Sequence, residues 1–270
     1  MKKSLLALLF LVTGLANHSV LAFDQQHLRW DALLKKHVVW IAQGTASRVD
    51  YAGFQQDENT LRNYLQTLSA VSRQEFSAWS KPQQLAFLIN AYNAFTIELI
   101  LTRYPNLESI KDLGSLLRSP WKQRFFTLLG EHRNLDEIEH GMIRAKGVYD
   151  EPRIHVAVVC ASIGCPALRD EAYVAQRLDA QLEDSFKRFL ADRSRNRYNA
   201  TSGQLEVSKI FDWYREDFSS GYREFTSLPQ VFARYADTLA DEDGIRQRIR
   251  AEQADIVFLK YDWKLNDIPR

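Results

Sequence analysis

Residues 152–166 read PRIHVAVVCASIGCP, and this stretch holds both cysteines of the chain and one of its six histidines. Its first half is apolar and β-branched, which predicts a strand buried on both faces and ending near Cys160. The small residues and turn formers that follow, up to Pro166, predict a loop. Loops at the ends of buried strands often carry chemistry because the strand holds them rigidly. We therefore expect the functional site in this stretch.

The N-terminus has the pattern of an export signal. A positively charged start precedes an apolar run, Leu5–Leu15, that is too short to span a bilayer comfortably. Val20 and Ala22 occupy the −3 and −1 positions of a small-residue cleavage site. The sequence therefore predicts that residues 1–22 are a signal peptide cleaved after Ala22. The mature protein, residues 23–270, is expected to be periplasmic or secreted.

Composition restricts the classes of partner. The net charge is +1, so no strong field attracts nucleic acid or anionic lipid. After the predicted signal peptide, no run approaches the roughly 18 apolar residues of a membrane-spanning helix. The sequence contains no phosphate-binding loop, dinucleotide fingerprint or serine elbow, so no cofactor is expected. The remaining ligand class is a small molecule or a peptide, and the sequence leaves its identity and the oligomeric state open.

A long apolar helix is the central element of the predicted fold. Ser80 and Gln83 form a capping box at its start, and the pattern continues to about Arg103. The helix is apolar on nearly all sides, which predicts burial on all faces. Asn90 and Asn93 lie within it, and buried asparagines must find partners or cost a few kcal/mol each.

Helices outnumber strands in the rest of the chain. The further predicted elements are helices at 24–43, 134–147 and 170–189, hairpins at 125–135 and 198–207, and a strand at 256–259. This order is typical of an α+β fold that is mainly helical, with the long central helix packed on a small β-sheet. No linker rich in proline, glycine or serine divides the chain, which predicts one domain over residues 23–270.

Five blocks of residues resemble one known family. They are Phe87–Ala94, Leu135–Arg144, Arg153–Pro166, Leu205–Phe218 and Tyr261–Asn266. In their order and spacing the blocks are similar to the family called domain of unknown function 547, over about residues 86–266. The resemblance implies an exported bacterial member of a family without an established activity. One departure is Ile163-Gly164 before Cys165, where a serine beside the cysteine is expected.

The two cysteines leave three alternatives open. Either Cys160 or Cys165 can be a nucleophile, because a thiol at a strand end near a histidine can hold a lowered pKa and attack acyl carbons. A disulfide that closes the small loop is the second alternative, favoured by the oxidising compartment and contributing about 2 kcal/mol to stability. The third is a pair of buried, inert thiols.

Two histidines are candidate bases. His140 follows Asp136 by four residues on a predicted helix, so the carboxylate can orient its ring. His155 precedes Cys160 by five residues, and in a continuous strand this spacing places the two side chains on opposite faces. His140 is therefore the better base candidate. The alternatives are a solvated surface pair for His140 and a core histidine for His155.

Two asparagines offer supporting roles, and the cysteines and histidines raise the question of a metal site. Asn90 and Asn93 can orient an imidazole or donate to an oxyanion, or they can pin loops onto the buried helix. The cysteines and histidines are suitable zinc ligands by type, but their spacing matches no short motif, so no metal site is expected.

Two function classes follow from these residues. The first is a thiol-dependent hydrolase or acyl transferase that acts on an amide or ester. Its candidate catalytic residues are Cys160, Cys165, His140 and His155, supported by Asp136, Asn90 and Asn93. The expected architecture is similar to papain and transglutaminase, although Ser80 stands near the helix start where those enzymes carry their cysteine. The alternative is a non-catalytic periplasmic binding or interaction domain with a structural Cys160–Cys165 disulfide.

Overall fold

The structure is a computed structural model that describes residues 22–115 and 118–269. The predicted signal peptide, apart from its last residue, lies outside the described residues. The α-helices are α1 (Leu28–His37), α2 (Tyr51–Gln56), α3 (Glu58–Ala70), α4 (Arg73–Ala78), α5 (Lys81–Leu101), α6 (Leu178–Ala191), α7 (Ile210–Trp213), α8 (Leu228–Arg234), α9 (Ala236–Leu239) and α10 (Asp243–Arg250). The strands are β1 (Val38–Ile41), β2 (Ala46–Val49), β3 (Phe126–Leu128), β4 (Glu131–Arg133), β5 (Arg197–Asn199), β6 (Gln204–Val207) and β7 (Asp255–Phe258). The predicted α+β, mainly helical class is confirmed.

The predicted central helix is α5. The Ser80 backbone N–H donates to the Gln83 side chain at 2.9 Å, as expected at the start of the helix. Every residue from Gln84 to Ile100 is buried except Glu98, so neighbours cover the helix on all sides. By length and composition α5 could cross a membrane, but 94% of its apolar window is buried inside the protein. The helix is therefore the core around which the other elements pack.

The strands form small separate sheets. Strands β1 and β2 make one hairpin, β3 and β4 make a second, and β7 joins β6 in parallel beside the β5–β6 hairpin. The central helix contacts the second hairpin, where Phe95 stacks on Phe126 with ring centroids 3.9 Å apart. The predicted hairpins and the last strand are confirmed. The likeness to papain and transglutaminase stays a prediction.

The strand predicted for residues 152–160 is wrong. Pro152–Val156 forms a 3-10 turn, and the following residues are irregular and buried. A proline at the first helical position and the Glu151 side chain, which accepts from the Arg153 N–H at 3.1 Å, favour a helical start. The β-branched apolar run therefore reflects complete burial, which a strand and a buried loop share.

Asn93 on α5 supplies the hydrogen bonds that a neighbouring strand would otherwise give to this segment. Its side chain donates to the Ala157 carbonyl at 2.8 Å and accepts from the Val159 N–H at 3.0 Å. Asn90, one turn away, makes the same pair of bonds to the backbone of Tyr173, at 2.7 and 3.0 Å. Both asparagines therefore attach irregular backbone to a buried helix. Their side chains bond to backbone N–H and carbonyl groups that would otherwise be buried without hydrogen-bond partners.

Two further boundaries differ from the sequence-based prediction. The first helix ends at His37, and Val38–Ile41 pairs with Ala46–Val49 instead of continuing it. The β-branched residues of that segment favour an extended chain once a partner strand is present. The helix predicted from 170 begins only at Leu178. A 3-10 helix, Ala175–Arg177, precedes it, and the irregular backbone before that is held by a side chain, because Asp31 accepts from the Ala172 N–H at 3.0 Å.

The buried apolar residues form two clusters with the 152–166 stretch between them. The first surrounds α5 and includes Ile154 and Ala157. The second surrounds α6 and includes Val156, which points the other way. The stretch therefore packs against both hydrophobic clusters, and these contacts position the cysteine loop at its end.

Replacing Asn90 tests the role of the asparagines. Asn90→Leu leaves the Tyr173 N–H and carbonyl without partners in the interior. We expect it to lower the free energy of unfolding by roughly 1–3 kcal/mol. Chemical denaturation monitored by circular dichroism measures this. A midpoint equal to that of the wild type would show that these hydrogen bonds do not hold the segment.

The buried imidazole of His27 makes stability depend on pH. Its Nδ1 lies 2.7 Å from the Tyr64 hydroxyl, and burial, opposed by Asp24, lowers its pKa from 6.5 to about 4. Because the folded pKa is depressed, the unfolded chain takes up a proton more readily. This stability contribution is therefore present above about pH 6.5 and is lost as pH falls toward 4.

We expect His27→Asn to flatten the fall in stability over this pH window. The flattening should approach, at most, about 1.4 kcal/mol per pH unit. Asparagine suits the backbone here, since His27 has a φ of 50°. Urea midpoints of both proteins between pH 4 and 7 provide the measurement. Parallel curves would contradict the assignment.

Candidate functional site

A cavity of about 300 Å³ opens beside the loop that ends the 152–166 stretch. Aromatic rings line much of it: Tyr92, Trp121, Trp213, Tyr214, Tyr261 and Trp263. The predicted site residues Cys160, Cys165, His140, His155 and Asp136 line it as well, together with Glu139. The structure thus brings five predicted site residues into one cavity. Asn90 and Asn93 do not line it; they hydrogen-bond to backbone groups of neighbouring segments.

Cys160 and Cys165 form a disulfide, one of the three alternatives considered for them. The Cys160 N–H donates to Cys165 Sγ at 2.9 Å, and the Tyr261 hydroxyl donates to the same sulfur at 3.2 Å. Cys160 Sγ lies 3.1 Å from that hydroxyl and 3.0 Å from the hydroxyl of Ser162. The sulfur pair therefore sits in a small polar pocket of the cavity wall.

The C-terminal segment 261–266 clamps the cysteine loop. The Ile163 N–H donates to the Lys264 carbonyl and the Gly164 N–H to the Asp262 carbonyl, both at 2.8 Å. A Cβ on Gly164 would come within 3.0 Å of the Asp262 backbone, so this close approach requires glycine. This contact gives a reason for a glycine, where a serine was expected, directly before Cys165.

His155 is a buried imidazole held by a carboxylate. Its Nε2–H donates to Asp217 Oδ2 at 2.7 Å, and the Tyr214 ring stacks on it with centroids 3.7 Å apart. Burial lowers the His155 pKa, and the bond to Asp217 opposes that effect only in part. Its Nδ1 is buried and has no partner among the described residues. The ring is therefore a neutral base with a free lone pair on Nδ1.

Asp217 is fixed from two sides. The Arg144 guanidinium donates to both of its carboxylate oxygens, at 2.6 Å to Oδ2, which His155 also contacts, and at 3.0 Å to Oδ1. Burial alone would raise the pKa of Asp217, but the bonds from His155 and Arg144 outweigh it and hold that pKa well below its usual range. Sequence analysis missed Asp217. It lies within the 205–218 block, so the block itself was the available signal.

His140 is not hydrogen-bonded to Asp136, the carboxylate predicted to orient its ring. Its side chain is 40% exposed, and Nε2 lies 3.8 Å from Asp136 Oδ1, too far for a hydrogen bond. Its Nδ1 instead lies 2.6 Å from Arg144 Nη1. The predicted pair assumed α-helical spacing, whereas Glu137–Ile143 forms a π-helix, in which the bonds run from i to i+5.

Glu139 is the second site residue that sequence analysis missed. It lies on the π-helix and lines the same cavity as Asp136 and His140. It is only 7% exposed, and its carboxylate accepts from the Tyr214 hydroxyl at 2.7 Å. Among the described residues, no cation lies within ion-pair distance of it.

The arrangement offers acid–base chemistry next to sulfur. A carboxylate-held imidazole with a free Nδ1 lines the same cavity as two cysteines, and this combination is typical of nucleophilic catalysis. In residues 22–115 and 118–269, no group of three or more histidine, cysteine or carboxylate side chains could hold a metal ion.

Comparison with known proteins supplies a family. Residues 76–190 match the model described as "Protein of unknown function, DUF547". The matched region contains α5, the π-helix and the cysteine loop, whereas Asp217 and the clamping segment 261–266 lie beyond it. No curated protein and no solved structure matches the chain. Residues 76–190 of the chain are therefore similar to the DUF547 family.

Proposed function

We propose that the protein is a thiol-dependent hydrolase or acyl transferase that acts on an amide or ester once the Cys160–Cys165 disulfide is reduced. The observation that carries the proposal is the hydrogen bond from His155 Nε2–H to Asp217. It leaves Nδ1 of His155 without a partner among the described residues, and His155 lines the same cavity as the cysteines. Most buried polar side-chain atoms have a hydrogen-bond partner, although Nε2 of the buried His27 also has none among the described residues. A neutral Nδ1 without a hydrogen-bond partner keeps the lone pair that a general base requires.

His155 is assigned as the base in preference to His140. A carboxylate orients His155, and Tyr214 fixes the plane of its ring. His140 is half-exposed, and its Nδ1 faces the guanidinium of Arg144. Because that guanidinium is a donor only, it occupies the lone pair that His140 would need. The sequence favoured His140 because Asp136 could orient its ring and because a strand at 152–160 would place His155 and Cys160 on opposite faces.

Cys165 is assigned as the nucleophile. After reduction its sulfur keeps two donors in the present geometry, the N–H of Cys160 and the hydroxyl of Tyr261. Hydrogen bonds to a thiolate lower the pKa of the thiol and favour the reactive form. Cys160 then acts as the partner that restores the disulfide.

The reaction proceeds in balanced steps. A dithiol reductant gives two hydrogens to the cysteines and itself becomes a disulfide. The Cys165 proton passes to Nδ1 of His155, and the thiolate forms a bond to the acyl carbon. The leaving amine or alcohol departs with the proton from His155, which leaves a thioester on Cys165. Water, or another acceptor, then takes the acyl group, and His155 receives its proton.

Acylation by 4-nitrophenyl acetate tests the assignment. We expect the reduced protein to release nitrophenolate and to carry one acetyl group on Cys165, as identified by peptide mass spectrometry. His155→Ala should slow acylation by about 10²–10⁴-fold, the usual effect of losing a general base. Because burial lowers the His155 pKa, the wild-type rate should fall on acidification only below about pH 6.5, the ordinary histidine value.

Matched variants complete the experiment. His140→Ala should retain most of the rate, and Cys160→Ser should be acylated without a reductant because no disulfide can form. Equal rates for the wild type and His155→Ala would overturn the choice of base. Acetylation no faster than that of a free cysteine would overturn the enzyme hypothesis.

The second candidate function is a non-catalytic binding or interaction domain. The disulfide favours it, because an oxidised sulfur pair held by Tyr261 and Ser162 shapes the cavity wall without offering a nucleophile. In that case the reduced protein would bind ligands as before but would show no acetylation at either cysteine. The ligand would again be a small molecule or a peptide.

We also propose that the protein is periplasmic or secreted after cleavage behind Ala22. The charged start, the apolar run and the small residues before Phe23 support it, and a disulfide suits an oxidising compartment. Intact mass of the protein isolated from its own cells should correspond to a chain that begins at Phe23. A mass that includes residues 1–22 would contradict the proposal.

A further inference from the structure

Four aromatic residues form one wall of the cavity. This aromatic wall consists of Trp121, Trp213, Tyr261 and Trp263. Tyr261 lies 4.5 Å from Trp263 and 4.9 Å from Trp213, measured between ring centroids, and Trp121 lies 6.0 Å from Trp263. Trp213 is 45% exposed, which is unusual for the largest apolar side chain. The wall therefore presents ring surface that the protein itself does not cover.

Two carboxylates belong to the cavity lining. Asp136 and Glu139 contribute carboxylates, and the described lining includes no lysine or arginine. The nearby Arg144 is committed to both oxygens of Asp217. His155 adds no charge, because burial keeps its ring neutral near neutral pH. Asp136 and Glu139 are thus left as the negative charges that face the cavity.

Glu139 carries the stronger argument of the two carboxylates. A carboxylate that is 7% exposed is normally paired with a cation, since removing an ion from water is costly. Here the hydroxyls of Tyr214 and Tyr92 bond to it, and no described cation is within ion-pair distance, although Arg144 interacts with it at longer range. A buried carboxylate of this kind, lining an open cavity, is a site for a cation supplied from outside.

Aromatic rings and a carboxylate together select an ammonium group. The face of an indole or phenol ring attracts a cation within about 6 Å, and this attraction is the usual basis for binding quaternary ammonium groups. The wall already shows the preference, because Lys111 Nζ lies 3.7 Å from the ring centroid of Trp263. A cavity of about 300 Å³ suits a small ligand of this kind. A carboxylate or phosphate ligand would instead meet like charges.

We infer that the cavity binds an ammonium group, and that the substrate is an ester or amide with a positively charged ammonium a few bonds from its acyl carbon. The ammonium would lie against the aromatic wall and Glu139, which places the acyl carbon toward Cys165 and His155. The description of the ligand as a substrate rests on the proposed hydrolase function. Binding of the ammonium group does not.

A matched pair of probes tests the binding. Choline and 3,3-dimethyl-1-butanol have nearly the same shape, and only choline carries a charge. We expect choline to change the tryptophan fluorescence of the native, oxidised protein and to bind at least about fivefold more tightly than the neutral alcohol. Equal affinities, or no binding of choline at millimolar concentration, would overturn the inference.

Variants locate the site. Glu139→Gln keeps an acceptor for the Tyr214 hydroxyl but removes the charge, and Trp213→Leu removes an exposed ring. Each should weaken choline binding at least about fivefold while leaving the neutral alcohol almost unaffected. Glu224→Gln, at an exposed carboxylate outside the cavity, is the control and should bind as the wild type does. If Glu139→Gln fails to fold, Trp213→Leu decides the question. Retained choline binding by the folded variants would overturn the inference.

A second comparison separates this inference from the proposed reaction. The reduced protein should cleave butyrylcholine with a kcat/KM at least about tenfold above that for 3,3-dimethylbutyl butyrate. Choline binding without acetylation by 4-nitrophenyl acetate would support the ammonium site and overturn the hydrolase. Acetylation at Cys165 without any preference for charged probes would support the hydrolase and overturn the ammonium site.

Discussion

The fold depends on two asparagines that are buried in its central helix. Most of α5 has apolar neighbours, and an apolar surface alone cannot hold irregular backbone next to it, because every buried N–H and carbonyl needs a partner. Asn90 and Asn93 supply these partners, with one donor and one acceptor each. They let a loop occupy the interior where a sheet would otherwise be required. The chain before Cys160 is therefore fixed in place without belonging to a strand.

The site follows from this anchoring. Asn93 holds Ala157 and Val159, and the two hydrophobic clusters grip the residues around them from opposite sides. The next residues form the cysteine loop, which the C-terminal segment 261–266 clamps by backbone hydrogen bonds. The sulfurs are thus positioned by three distant parts of the chain. Such multiple support is what a site needs if its geometry is to persist while one bond is made or broken.

Electrostatics divides the cavity into a balanced part and an unbalanced part. In the balanced part, Asp217 lies between His155 and Arg144, so each charge has a partner and the imidazole has one orientation. In the unbalanced part, Glu139 is buried with a hydroxyl partner but no cation. The first arrangement orients His155 as a base. The second leaves the Glu139 carboxylate without a cation, which a ligand could supply. The two parts meet at Tyr214, which stacks on His155 and donates to Glu139.

The sequence by itself determined the elements whose signals are local. The capping box of α5, its apolar surface, the later hairpins and the last strand all follow from patterns within a few residues. The sequence also pointed to the cysteines, His140, His155 and Asp136, because few residue types support such chemistry. It could not distinguish a buried strand from a buried loop at 152–160, since both are apolar and β-branched.

Only the tertiary structure decided which of these residues act together. Asp217 reaches His155 across 62 positions of sequence, and Tyr261 reaches Cys165 across 96. No local pattern encodes contacts of this range. The π-helix likewise affects the site, because His140 on it lies 3.8 Å from Asp136, beyond hydrogen-bond distance, and Glu139 on it lines the cavity. The physical reason is the same in each case: spacing along one element fixes directions only when the type of element is known, and packing against the rest of the chain decides that type.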